Sequence, residues 1–95
     1  MLRIANQTFS TGDEAKQFVR HLLAKYEIGT EITEDADLTF LLELLKRHPE
    51  YAEKFSEGSK KIRVVRNPAQ KATELEVETS AGRRIRTPWV ICVLD

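Results

Sequence analysis

The 95 residues include one cysteine, one methionine, one tryptophan, three prolines and four glycines, and the fifteen basic and fifteen acidic side chains cancel. Each scarcity excludes something. A lone cysteine, Cys92, forbids an intrachain disulfide, and its place in an apolar run points to an inert buried thiol or a reducing compartment. Zero net charge leaves no global field to hold the chain on nucleic acid or an acidic membrane, so any such contact must be local. No apolar run approaches the roughly 18–20 residues of a membrane span, and Met1-Leu2-Arg3-Ile4-Ala5-Asn6 has no signal core. The expectation is a cytoplasmic protein with no membrane partner. With no repeat, no low-complexity tract and no linker, residues 1–95 are expected to form a single domain.

The pattern of apolar residues predicts the elements. Leu2 and Ile4 flank Arg3 as a short strand, and Asn6-Gln7 signals a turn. Thr11-Gly12-Asp13-Glu14 has the spacing of a capping box, and Ala15, Phe18, Val19, Leu22, Leu23 and Tyr26 then recur on one helical stripe. The helix is expected over about residues 12–26. Acidic Thr33-Glu34-Asp35-Ala36-Asp37 opens a second helix striped by Leu38, Leu41, Leu42 and Leu45 and widened by Phe40 and Leu44. It stops at His48-Pro49, where proline suits the first position of a new turn carrying Tyr51, Ala52 and Phe55. Gly58 supplies a left-handed stop.

Beyond Gly58 the period changes from 3.6 to 2. Ile62 and Val64 form one strand, Asn67 to Lys71 a turn, Leu75 and Val77 a second strand, and Ser80-Ala81-Gly82-Arg83 a second turn. Arg84-Ile85-Arg86 alternates again before Pro88, and Trp89 to Leu94 is almost wholly apolar, which predicts a last strand. The expected architecture is α+β, in the order β-α-α-α-β-β-β. A small antiparallel sheet of about four strands carries two main helices and a short third helix on one face.

The order of these features resembles that of the DCL domain family, named from "defective chloroplasts and leaves". The likeness runs through Phe9, Glu14-Ala15, Phe18, Leu23 and Tyr26, and then His48, Pro49, Lys54, Gly58, Gly82 and Cys92. It spans nearly the whole chain, which would make this a bacterial form of the domain. Ser56 stands where a glycine is usual, Ala81 where an aspartate is usual, and Thr87-Pro88 where a Phe-Ser is usual. The resemblance implies a setting in ribosomal RNA processing and marks Lys54 for attention, but the family has no established catalytic mechanism.

Two arrangements of side chains bear on function. Lys60, Lys61, Arg63, Arg66 and Lys71 occur with no acid among them, and Arg83, Arg84 and Arg86 follow. One reading is a patch that tracks phosphates, using Lys54, Lys60, Lys61, Arg63, Arg66, Lys71 and Arg83 toward RNA or a ribonucleoprotein. The other is a ladder of ion pairs, because Glu74, Glu76 and Glu78 on the middle strand alternate in phase with Lys61, Arg63, Arg84 and Arg86. The turn residues Arg66, Lys71 and Arg83 escape that cancellation. In the last segment, alternation turns Trp89, Ile91 and Val93 inward and leaves Val90, Cys92 and Leu94 as an outer apolar face for a protein partner or a second copy.

Signals for catalysis are sparse. His21, His48 and Cys92 do not have metal-ligand spacing, and Glu31, Glu34, Asp35 and Asp37 lack the glycine and terminal glutamate of a calcium loop. No phosphate-binding glycine loop or nucleophile triad appears. The expectation is a binding domain rather than an enzyme, with no metal, cofactor or small-molecule substrate.

Overall fold

A computed structural model describes residues 1–55, 58–69 and 72–93. The chain opens with a tight hairpin of β1 (Leu2–Ile4) and β2 (Gln7–Phe9), in which Ile4 pairs with Gln7 across Ala5 and Asn6. Two helices follow, α1 (Gly12–Ala24) and α2 (Asp35–Leu45), and then a single turn, α3 (Tyr51–Lys54). An antiparallel sheet in the order β3-β4-β5 completes the fold, formed by β3 (Ser59–Asn67), β4 (Ala72–Thr79) and β5 (Arg84–Thr87). The α+β class and the order of the helices and the late hairpins are as the sequence predicts.

Local chemistry accounts for the element ends. Thr11 caps α1, its hydroxyl accepting the Glu14 N–H at 3.3 Å, while Glu14 Oε2 accepts from the Ser10 N–H at 2.8 Å. The reciprocal bond of the capping box therefore lands one residue upstream of the cap. Gly58 adopts φ +89°, as a left-handed stop requires, and its N–H donates to the Phe55 carbonyl. Asn67 Oδ1 accepts the Ala69 N–H at 3.0 Å, an Asx turn that starts the β3–β4 connection.

The core lies between the helices and one face of the three-stranded sheet. Val19, Leu22 and Leu23 of α1 and Leu41, Leu44 and Leu45 of α2 are buried with Ile62, Val64, Leu75 and Val77. Phe9, Phe18 and Phe40 join the hairpin to both helices, with ring centroids 4.8–6.4 Å apart.

Three expectations are corrected. The hairpin's return strand β2 stands where the sequence predicts only a turn, so the sheets number two, of two and three strands. Pro49 does not begin the third helix: it lies in a turn, Glu50 is the cap and Tyr51 the first helical residue. The last apolar run is a 3-10 turn, Val90–Val93, not a strand. Pro88 has no N–H for a ladder, and a six-residue apolar run does not by itself distinguish a strand from a helical turn. The Cys92 N–H donates to the Trp89 carbonyl, and the Nε of Arg47, in the turn just beyond α2, donates to the Cys92 carbonyl at 2.8 Å. A three-residue period buries Trp89, Cys92 and Val93 and leaves Val90 and Ile91 exposed. Trp89 is thus in the core, as its alternation suggested, but Ile91 is not.

Candidate interaction surface

The outer face of the three-stranded sheet carries its charges in rows. Register places Lys61 opposite Glu78, Arg63 opposite Glu76, Glu76 opposite Arg86, and Glu78 opposite Arg84. Arg63 lies 3.4 Å from Glu78 and 4.0 Å from Glu76, and Arg84 lies 3.8 Å from Glu78. The ion-pair ladder is therefore formed, and two of the residues read as phosphate contacts are engaged: Arg63 in that ladder, and Lys61 at 3.9 Å from Glu31. The basic residues make an alternating pattern, not a continuous stripe.

The remaining candidates disperse. Lys60 and Arg66 are exposed near opposite ends of β3 and enter no ion pair among the described residues. At about 3.3 Å per residue they lie roughly 20 Å apart. Arg83 is exposed in the β4–β5 turn, where its N–H donates to the Thr79 hydroxyl. Lys54 is half-buried on α3, 3.9 Å from Glu50, and adds a positive charge near buried His48. Lys71 lies outside the described residues.

Of the apolar face assigned to Val90, Cys92 and Leu94, Cys92 is corrected: it belongs to the core. Cys92 is buried at 1% exposure while Val90 is 38% exposed, because the segment is a 3-10 turn whose neighbouring side chains do not alternate between two faces. Leu94 lies outside the described residues. Burial pushes the Cys92 thiol up to about 11, against a smaller opposing effect of Arg47.

The two edges of the sheet differ. The segment from Gly29 to Ile32 runs beside β3: Gly29 N–H donates to the Val64 carbonyl, Val64 N–H to the Thr30 carbonyl, and Ile32 N–H to the Ile62 carbonyl. Glu31 bridges to Arg63 in the same run. The signal available in the sequence was the pair Glu31 and Ile32, one charged and one fully buried, flanked by Thr30 and Thr33. Along β5, by contrast, no described residue outside the sheet hydrogen-bonds to the backbone of Arg84 to Thr87.

A second polar cluster lies between the helices. Asp37, in the first turn of α2, is buried at 8% exposure and accepts from the Tyr26 hydroxyl at 2.7 Å and from Lys25 Nζ at 2.8 Å. The sequence places it in the acidic start of the helix and gives no sign of these partners. Beside it a cleft of about 780 Å³ runs between the hairpin turn and both helices, over Phe18, Leu22 and Phe40. Exposed His21 borders the same region with Lys25. The Asp37 carboxylate is already engaged by Tyr26 and Lys25, so the cluster joins α1 to α2 rather than offering an open acceptor. Among the described residues no group of three or more His, Cys, Asp or Glu side chains is placed to hold a metal ion. No described helix is long and apolar enough to cross a membrane.

Fold and surface together define a small α+β domain whose three-stranded sheet has a neutralised outer face and, at β5, an edge that meets no backbone partner among the described residues. The chain belongs to the DUF3223 family, described as proteins of unknown function, whose profile matches residues 20–75. It is similar over 98% of its length to an uncharacterised protein from Rhodospirillum rubrum, known from a solution NMR structure. That likeness has 27% identity and a TM-score of 0.87, and covers 88% of the other chain. No curated protein matches.

Proposed function

We propose that this domain is a protein-interaction module that acts by binding rather than catalysis, with the β5 side of its sheet as the working surface. The observation that carries this reading is the asymmetry of the sheet: one edge is sealed by Gly29 to Ile32 and the other meets no described backbone partner. An open edge is a ready template for an incoming strand. The dispersal of His21, His48 and Cys92 on α1, the α2–α3 turn and the C-terminal turn supports a binding role. The test is selection from a displayed library of extended peptides, followed by amide-shift mapping of the winners. Peptides that move the amides of Arg84 to Thr87 support the reading, and a selection whose winners all bind elsewhere overturns it.

A second reading, association with RNA or a ribonucleoprotein, is favoured by exposed Lys60, Arg66 and Arg86, none in an ion pair among the described residues, and by the DCL resemblance. Its weakness is the wide spacing of these cations around a neutralised ladder. Titration with short single- and double-stranded RNA at two salt concentrations tests it, since phosphate contacts strengthen as salt falls. Unmoved Lys60, Arg66 and Arg86 amides at low salt would sink it.

A further inference from the structure

We infer that the β5 edge receives an extended acidic segment of a partner protein as an added strand, with carboxylates set beside Arg84 and Arg86. The inference rests on the protein-interaction reading and names the chemistry of the occupant.

Backbone direction is the first support. Thr79 N–H donates to the Arg83 carbonyl at 2.7 Å, so Thr79 and Arg83 face each other as a hydrogen-bonded pair. Antiparallel pairing alternates, so Val77 with Ile85 and Leu75 with Thr87 are also hydrogen-bonded pairs. Arg84 and Arg86 then turn their N–H and C=O groups away from β4. The same alternation carried across β4 turns the polar groups of Ile62 and Val64 outward on β3, and these are the residues that the Gly29–Ile32 segment bonds. The rule that correctly locates the sealed edge thus identifies two outward N–H and two outward C=O groups on the open one.

Charge is the second support. Across the outer face the rows read acid at Glu31, base at Lys61 and Arg63, acid at Glu76 and Glu78, and base at Arg84 and Arg86. Each interior row has opposite charge on both sides. The last row has it on one side only: Arg84 shares Glu78 with Arg63, and Arg86 enters no ion pair among the described residues. The next strand that continues the pattern is acidic. A second copy pairing β5 with β5 would set arginine rows side by side, which like-charge repulsion disfavours.

Short, basic edge strands also serve to repel strangers, and the two roles predict different behaviour toward acid. The test is an amide-shift and hydrogen-exchange titration, into the millimolar range, with three blocked peptides in which valine alternates with glutamate, glutamine or lysine, and with oligouridine as a fourth arm. The expected result is that the glutamate peptide moves the amides of Arg84 to Thr87, slows exchange at Arg84 and Arg86, and binds more weakly as salt rises. Arg86→Pro removes an outward donor without touching the β4 ladder and should weaken binding roughly tenfold. The Arg84→Glu, Arg86→Glu double variant should instead prefer the lysine peptide, which keeps the test sharp if the proline variant misfolds. Equal binding of the glutamine peptide overturns the acidic occupant while leaving the interaction module standing. If no peptide moves β5, whether or not oligouridine does, both fall.

Discussion

The Tyr26 hydroxyl donates a 2.7 Å hydrogen bond to Asp37 Oδ2, joining the chain just beyond α1 to the first turn of α2. Lys25 reaches the same oxygen at 2.8 Å. Burial alone would raise the Asp37 carboxyl, but the bonds from Lys25 and Tyr26 outweigh it and hold the group below its ordinary range. A depressed carboxyl contributes stability that is complete above its unfolded value, about 3.9, and is lost as pH falls from there through the folded value. Asp37→Asn should therefore flatten the loss of stability below about pH 4. Tyr26→Phe should cost about 1–2 kcal/mol at neutral pH. Urea denaturation at pH 7 and pH 3 measures both.

His48 works at a higher pH. It is buried, its Nδ1 accepts the Glu50 N–H at 3.0 Å, and its ring meets Phe55 edge to face. Burial first, and Lys54 second, hold the imidazole below its ordinary value, against a smaller pull from Glu50. The folded protein thus binds this proton less readily than the unfolded chain, whose value is about 6.5. Stability from this site is complete above about 6.5 and falls as pH drops from there through the folded value. Unfolding midpoints should decline between pH 7.5 and pH 5.5, and His48→Gln should remove most of that slope at the expense of lower stability throughout. A variant with the same slope as the parent would refute the assignment.

At the corner that follows, Gly58 sits at φ +89°, and an added Cβ would stand 3.0 Å from Ser80 Oγ. Gly82 has φ +88° with nothing within 4 Å of a Cβ. Gly82→Ala should report backbone strain alone, about 1–2 kcal/mol, and Gly58→Ala the same strain plus the contact. Because a serine hydroxyl rotates, Ser80→Ala should recover only the small difference between them. Equilibrium denaturation of the three single variants and the Gly58/Ser80 pair separates the two contributions.

Much of this architecture is legible from side-chain spacing. The stripe of Val19, Leu22 and Leu23 and the alternation of Ile62, Val64, Leu75 and Val77 are buried as their periods require, whereas on α2 Phe40 and Leu44 join Leu41 and Leu45 in the core and Leu38 and Leu42 of the predicted stripe are only half-buried. The ladder on the outer face followed from the same alternation. What spacing did not reveal depends on distant partners. The segment from Gly29 to Ile32 becomes a sheet edge only because Ile62 and Val64 present groups to it. Asp37 becomes a buried acceptor only because Tyr26 and Lys25 arrive from α1. The C-terminal turn takes its shape from contacts with α1 and α2, including the Arg47 bond to Cys92, which no periodicity within six apolar residues reports.

That turn offers a probe of its own integrity. The Cys92 thiol is 1% exposed and pushed up to about 11, so it should resist alkylation at pH 8 in the folded protein and react as the protein unfolds. Arg47→Ala removes the donor that holds the Cys92 carbonyl and should speed the reaction by loosening the turn. Mass-spectrometric labelling over a urea series checks this: rapid labelling of the parent without denaturant would contradict the burial of Cys92.

The outer ladder should contribute modestly and with a recognisable signature. Arg63 and Glu78 keep about a fifth of their side-chain surface, 22% and 16%, so their 3.4 Å pair is only partly shielded from water. A double-mutant cycle over Arg63→Ala and Glu78→Ala should give a coupling of about 0.5–1 kcal/mol that shrinks as salt rises. Arg63→Glu should cost more than Arg63→Ala, because it sets a third carboxylate between Glu76 and Glu78. The same reversal leaves the outward backbone of β5 untouched, so it should lower stability without abolishing capture of an acidic strand at Arg84 and Arg86. If Arg63→Glu and Arg86→Glu weakened that capture equally, the attraction would belong to the sheet's overall charge rather than to its open edge.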